Sequence, residues 1–380
     1  MGAVTSLGRS ELKYAVQIHP PVHRSLSELT EQMVTVTGAV NFCSSSWQRP
    51  GGPSSALQDF AANPLLQPPL GESWVSGPCV LEIDDYVHLW VGISSGILHL
   101  VSHDGLSTWT AVEMTVDCPG ASRASVTREP KSNVVYLFYE QTDPPQHGFT
   151  STKVKLISAK LPSAAFSAGT GCGVKLRRFS SRNWSGRRCK WQKWLLYYSA
   201  SSVFRRKDSK NPPPMYIGIA AAPAVEGPYR RINEKPFLGT SEGVPQVIGA
   251  GSFKMIKGFD VLNYDEEAGI GRRLLALESR ITRSKDSSVS SIALLASADG
   301  FSWSLIDANF LAPSAEKSWK KANIHTFDTM IPSFDPDHVF IYYDARDNFK
   351  KSTECVGVAR IPVVFLESIA CTTATRVGAT

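Results

Sequence analysis

A chain of 380 residues that is 42% hydrophobic, 10% aromatic and 19% charged has the balance of a globular protein, which excludes a disordered or collagen-like chain. No apolar run approaches the roughly 20 residues that cross a bilayer as a helix. The net charge of +6 is small, but it is unevenly placed along the chain.

Residues 1–21, MGAVTSLGRSELKYAVQIHPP, lack the apolar core of a signal peptide, so a cytoplasmic protein without a transmembrane segment is expected. Gly2 and Ser6 fit a myristoylation pattern that many unmodified proteins share. Seven cysteines are scattered without a C-x-x-C pair, so buried thiols are expected rather than a zinc or redox centre. No metal and no other cofactor is implied. The sequon Asn183-Trp184-Ser185 is read as chance.

In chain order, residues 1–70 form an extension. Within it QMVTVTGAV (32–40) is expected to supply a strand that closes a ring, and the Gly/Pro/Ser-rich stretch 44–70 a surface loop. Five segments then repeat one pattern of strand, turn and aromatic-rich strand, starting at residues 76, 121, 171, 251 and 328. The second strands align as HLWVGIS, VYLFYEQ, WLLYYSA, LLALESR and FIYYDAR, β-strand chemistry rather than helical periodicity. Third strands follow, for example ILHLVSHDG and SIALLASADG. They end in Ser-x-Asp-Gly turns at 102–105 and 297–300, where Gly accepts a left-handed backbone and Asp bonds local N–H groups. Trp109 and Trp303 then open fourth, outer strands, and Gly227-Pro228-Tyr229 takes that place in the third unit. The pattern predicts an all-β fold over 71–370, a five-bladed β-propeller of four-stranded antiparallel blades. A six-bladed sialidase-like propeller is the alternative, but its Asp boxes separate the Asp from the Gly.

The stretches GPCVLEIDDYVHLWVGISSGILHLVSHDGLSTWT and YIGIAAAPAVEGPYRRINEKPFL resemble blades of the five-bladed glycoside hydrolases of families 43, 32 and 130. The resemblance covers about residues 75–365. It implies acidic residues around the propeller axis acting as base or nucleophile, as general acid and as an orienting carboxylate. The chain departs from that pattern in the first blade, where Ser76-Gly77-Pro78 stands in place of the expected Asp.

Antiparallel pairing puts the start of each innermost strand beside the end of the next, on one mouth of the channel. Glu140, Glu278 and Asp344 end second strands, and Asp328 starts an innermost one; these four are the candidate catalytic acids. A glycosidase needs one acid protonated and one ionised. Ordinary strand-end or ion-pair roles compete for each. Arg123, His325 and Trp184 are the candidate substrate-binding residues: Arg123 suits a carboxylate or sulfate through its forked guanidinium. Arg123 reads equally as the partner of an ion pair with a neighbouring blade, and His325 reads first as a hydrogen-bonded loop residue.

Residues 175–210 hold twelve Lys or Arg against Asp208, a net +11, so the rest of the chain sums to −5. Interleaved tryptophans make this either an anionic-polymer surface or a solvated hairpin.

Three functions follow. The first is a glycosidase acting on O-glycosyl bonds of an oligosaccharide or polysaccharide, anionic ones included. The second is a non-catalytic propeller that binds a glycan or anionic polymer. Nucleic-acid binding through the basic segment ranks last, and a monomer is expected.

Overall fold

Aromatic and β-branched side chains pack on a pleated surface at little rotamer cost, and the runs singled out above form strands. The computed structural model describes residues 47–48, 56–68, 74–129, 134–142, 149–150, 152–160, 167–170, 175–179, 193–200, 205–206, 216–232, 238–239, 247–262, 270–283, 288–297, 300, 302–347 and 353–377. Strands β1 (Trp47–Gln48) and β2 (Gln58–Phe60) come first. One sheet has the order β3 (Ser76–Ile83), β4 (Tyr86–Ile93), β5 (Gly96–Ser102), β6 (Thr110–Asp117). Next come β7 (Ala121–Glu129), β8 (Val134–Thr142), β9 (Phe149–Thr150), β10 (Thr152–Lys160) and β11 (Ser167–Thr170), of which β7-β8-β10-β11 make a sheet.

The chain continues through β12 (Lys175–Phe179), β13 (Lys193–Ala200), β14 (Arg205–Arg206), β15 (Tyr216–Ala222), β16 (Arg230–Arg231) and β17 (Leu238–Gly239). Here β12-β13-β15-β16 pair in order, β17 also pairs with β15, and β14 forms a small ribbon with β9. Strands β18 (Val247–Leu262), β19 (Ile270–Arg283), β20 (Ser288–Ser297) and β21 (Ser304–Leu311) pair in sequence. Finally β22 (Asn323–Met330), β23 (His338–Arg346) and β24 (Glu354–Pro362) are joined by β2 and then β1, and the helix α1 (Val363–Val377) follows.

All pairings are antiparallel within the sheets. Strand β3 packs against β7 and β22, β22 against β18, and β7 against β12, so the first strands surround one axis. This is an all-β propeller of antiparallel sheets. The expected count of five four-stranded blades is not met on the sheets whose inner side chains are described. These number four, because the side chains of β12 lie outside the described residues. Among the described residues no helix is long and apolar enough to cross a membrane.

Each sheet is apolar on both faces because it has a neighbour on both. Along β4, Leu89 and Val91 pack towards Tyr342 and Val358 of the last sheet, while Trp90 between them packs towards Leu137 of the second. Leu275, Leu277, Ile292 and Leu294 are wholly buried between the fourth and last sheets. Each such side chain contributes roughly 1.5–3 kcal/mol relative to exposure. Two-sided burial explains why the strands read as near-continuous apolar runs.

The ring-closing strands depart from expectation. Residues 32–40 lie outside the described residues, and the stretch 44–70 that reads as a loop supplies β1 and β2. Gln58 and Asp59 pair with Arg360 and Ala359 of β24. Strands of two or three residues carry no detectable alternation, which is why composition pointed to a loop. Asn63 extends the pairing with its side chain, donating to the Val358 carbonyl at 2.8 Å and accepting from its N–H at 2.9 Å. Beneath β2 the Lys320 ammonium donates to Asp59 and, at 3.3 Å, to the Tyr343 hydroxyl, which itself donates to Asp59 at 2.9 Å. All three side chains are buried.

The Ser-x-Asp-Gly turns are equivalent. Gly105 donates its N–H to Ser102 Oγ at 3.0 Å, and Gly300 to Ser297 Oγ at 2.8 Å. The glycine carbonyls then accept from Tyr342 and Tyr197, each from the preceding sheet, at 3.0 and 3.1 Å. Gly105 has φ +67°, and a Cβ there would meet the Tyr342 hydroxyl at 2.5 Å. The turn therefore serves as an inter-sheet clasp. Asp299 lies outside the described residues.

In the first sheet His88 and His99 share a 2.9 Å hydrogen bond, and Trp90 stacks on His99 at 4.7 Å. Burial lowers both imidazoles; for His99, burial and then His88 bring it down to about 3. An unfolded histidine titrates near 6.5. Below that pH the unfolded chain takes up protons that the folded protein refuses, so stability falls by up to about 1.4 kcal/mol per pH unit for each histidine.

Two outcomes are expected. Denaturant midpoints fall between about pH 6.5 and about pH 3, and the fall is shallower in His99→Leu. Asp59→Ala leaves the Lys320 charge buried without a partner and costs about 3–5 kcal/mol, whereas Asp59→Leu combined with Lys320→Met recovers most of the loss. Urea unfolding with an unchanged m-value measures both.

Candidate functional site at the channel mouth

The starts of β3, β7, β18 and β22 and the ends of β8, β13 and β19 border a cavity of about 90 Å³. Its polar lining comes from Arg123, Ser125, Glu140, Tyr198, Ser199, Ser252, Ser279, His325 and Thr326, with Gly77 and Pro78 on one side. Convergence on one mouth follows from antiparallel pairing around an axis.

Arg123 sits where β7 bulges against β8, with φ +50°, a left-handed backbone unusual for a residue with a side chain. Its Nη1 donates to Glu140 Oε2 at 3.1 Å, and its side chain is 51% exposed against 19% for Glu140. Gly77, also left-handed at +64°, lies against the Arg123 backbone, where an added Cβ would be 3.0 Å from the Arg123 Cα. The first two sheets thus approach each other through one small residue, and the guanidinium projects into the opening.

Asp344 lies just behind the lining. Its carboxylate accepts from Gly77 N at 2.9 Å, His325 N at 3.2 Å, Thr326 N at 2.8 Å and Thr326 Oγ1 at 2.6 Å. All three donor residues line the cavity, so Asp344 shapes the mouth without facing it. Asp328 is fully buried farther down the channel. It accepts from Val80 N at 3.1 Å, from its neighbour Thr329 N and from the Lys254 ammonium. Glu278 is buried on the opposite face of β19 from Ser279, and Arg280 Nε donates to it at 2.6 Å. Burial raises the Glu278 carboxyl, and Arg280 opposes that rise.

Of the four acids expected at the mouth, Glu140 alone is in the described lining. Arg123 and His325 are there too, and Trp184 lies outside the described residues. Ser125, Tyr198 and Ser279 are lining residues that sequence reasoning missed. Adjacent residues on a strand point to opposite faces, so taking Glu278 rather than Ser279 is a one-residue phase error. The bulges of this sheet lie in β18, whereas β19 pairs with β20 in unbroken register.

Two buried polar atoms of the lining residues, His325 Nε2 and Ser125 Oγ, have no hydrogen-bond partner among the described residues. A second cavity of about 340 Å³ lies at the other end of the first strands, lined by Val80, Leu81, Val126, Met255, Met330 and Ile331 with Arg128 and Lys254. Tyr197 and Phe253 border both cavities, and Lys254, paired with Asp328, lines the far one. The far cavity is larger, but the near one gathers the convergent polar groups that mark a binding site.

No protein-family model and no curated protein matches the sequence. Solved structures do match in shape. An N-acetylgalactosamine deacetylase from F. plautii, in complex with blood group B trisaccharide, aligns with TM-score 0.53 and 12% identity over 84% of this chain and 98% of its own. A GH62 hydrolase in complex with xylotriose aligns with TM-score 0.53 and 10% identity over 78% of this chain and 95% of its own. Likeness at this identity shows the fold. The reaction must be argued from the site.

The roles of the acids predict a contrast. Asp344→Ala strands three backbone N–H groups and is expected to cost at least about 3 kcal/mol. Glu140→Gln breaks a half-exposed pair and is expected to change stability by no more than about 1 kcal/mol. Equal losses in urea unfolding would contradict this division of labour.

Proposed function

We propose that the protein is a glycoside-hydrolase-like propeller that takes a carbohydrate into the mouth bordered by Arg123, Glu140 and His325. The observation that carries this reading is the lining itself. Hydroxyls of Ser125, Tyr198, Ser199, Ser252, Ser279 and Thr326 surround one ion pair and one imidazole. Two of these residues hold buried polar atoms in need of partners. The solved structures of similar shape, one with a bound trisaccharide and one with xylotriose, support the same class of ligand. We count the sheet that begins with β12 as a blade, which makes the propeller five-bladed, as the sequence repeat suggests.

Binding is the part of this function that the geometry supports best. Hydrolysis by paired carboxylates needs two acids about 5–9.5 Å apart across the sugar. Among the described lining residues Glu140 is the single acid, and it is paired with Arg123. The observation that favours hydrolysis is the position of Glu140 itself, where a carboxylate can act as base or nucleophile. In that reading the general acid comes from elsewhere.

The test is a glycan array together with a panel of aryl glycosides, run on the wild type, Glu140→Gln and Arg123→Ala. The expected result is saturable glycan binding that Arg123→Ala weakens by about tenfold. Hydrolysis that falls at least about a hundredfold in Glu140→Gln establishes the enzyme. No binding and no turnover across the panel would sink the carbohydrate reading.

A further inference from the structure

Two ion pairs at the mouth end of the sheets stand with the same partner outward. Arg123 pairs with Glu140, and the arginine side chain is 51% exposed against 19% for the acid. Arg346 ends β23 and Glu354 begins β24, so their pair lies at the mouth end of the last sheet. Arg346 Nε donates to Glu354 at 2.8 Å, and again the arginine is the open partner, 38% against 9%. In both pairs the carboxylate is shielded and the guanidinium meets solvent. Burial comes first in lowering the His325 imidazole to about 4; Asp344 opposes it, and Arg346 and Arg123 add to it. Both guanidiniums thus act on a residue of the cavity lining, one from the second sheet and one from the last.

A basic ribbon stands at the same end. Strand β8 reaches the mouth with Glu140 and stops at Thr142, which pairs with Thr152 at the start of β10. Strand β9 lies inside that connection, with Thr150 two residues before Thr152. Two residues span at most about 7 Å, which keeps β9 on the mouth side. Strand β13 reaches the mouth with Ser199, and its Ala200 pairs with Tyr216 of β15. Strand β14 lies inside this second connection, where Arg205 pairs with Thr150 and Arg206 with Phe149. The second and third sheets are therefore tied together beside the opening by a strand made of two arginines. Both belong to the segment 175–210 with its net +11, as does Lys175, which begins β12 opposite Tyr197 of the lining.

We infer that the mouth selects an anionic glycan, one whose sugars carry carboxylate or sulfate groups. Arg123 receives such a group in the opening, and the Arg205–Arg206 ribbon draws the charged chain to it. This rests on the carbohydrate reading and adds the sign of the ligand's charge. A guanidinium fork can meet two oxygens of a carboxylate or sulfate at once, a match that a neutral sugar does not offer. Clustered cations beside a cleft also raise the local concentration of anions. The hydroxyls around Arg123 suit a sugar ring rather than the flat face of a nucleobase, so a glycan is the polyanion chosen.

The test measures binding of the full chain at low ionic strength to two matched pairs of probes. One pair is an oligogalacturonate and its methyl ester; the other is a heparin oligosaccharide and its desulfated, N-acetylated counterpart. The charged member of at least one pair is expected to bind at least about tenfold tighter, and which pair does so separates carboxylate from sulfate. Salt at about 0.5 M removes most of that preference. Arg123→Gly, which suits the left-handed backbone there, reduces the preference at least about fivefold, as does Arg205→Glu combined with Arg206→Glu. Arg230→Glu combined with Arg231→Glu makes the same charge change on the exposed outermost strand β16 and leaves the preference intact. If charged and neutral members bind alike, or the array retains neutral glycans only, the carbohydrate reading stands and this inference fails. If the β16 reversal weakens binding as much as the β14 reversal, overall charge is the cause and the inference fails again. A single-stranded oligothymidylate held more tightly than either acidic glycan, and indifferent to Arg123→Gly, would make the ribbon a nucleic-acid surface and overturn it. Binding of no probe and no array member sinks the carbohydrate reading and this inference together.

Discussion

The ring holds because the last sheet reaches across to the first with buried carboxylates. Asp344 accepts from Gly77 N and Asp328 from Val80 N, so two acids of the final sheet fasten the opening strand of the first. A carboxylate in a dry interior costs several kcal/mol unless its oxygens are saturated. Asp344 receives four hydrogen bonds, and Asp328 receives two N–H groups and an ammonium, so both costs are offset. At the rim the same join is made by β2 on β24, with Asp59, Lys320 and Tyr343 locked beneath it. Burial draws the Lys320 amine down and Asp59 draws it back up, which is the balance expected of a buried pair that survives through its partner.

This use of acids shapes the candidate site. A propeller of this shape can place carboxylates near its axis for chemistry or for closure, and here Asp328 and Asp344 serve closure. Glu278, buried against Arg280, is likewise committed to its own strand. Among the described lining residues what remains is one ion pair among hydroxyls.

The channel is divided rather than open. Lys254 reaches from β18 to the carbonyl of Thr329 at 2.7 Å and to Asp328, linking neighbouring first strands at the waist. Above it the cavity is small and rich in hydroxyls, and below it larger, with Glu82, Arg128 and Lys254 set among apolar side chains. Polar convergence, not volume, singles out the upper cavity.

Much of the fold was legible in the residues. Alternation and aromatic runs identified the inner strands, and Asp-Gly marked two turns that the structure shows to be equivalent clasps. Asp84 and Asp85 have the paired left-handed backbones of a tight hairpin at +49° and +67°. Periodicity of two is a local property, so a strand and its turn announce themselves within about ten residues. The mouth was legible in part: Arg123, Glu140 and His325, which the sequence singled out, line it. The sequence by itself determined that these strands exist, that they are buried on both faces, and that their ends meet around an axis. Only the tertiary structure decided which acids face the opening, because adjacent residues of a strand point to opposite faces and a difference of one residue in phase turns a side chain away. It also decided that Asp59 closes the ring, since Asp59, Lys320 and Tyr343 lie far apart in the chain and only folding brings their charges and hydroxyl together.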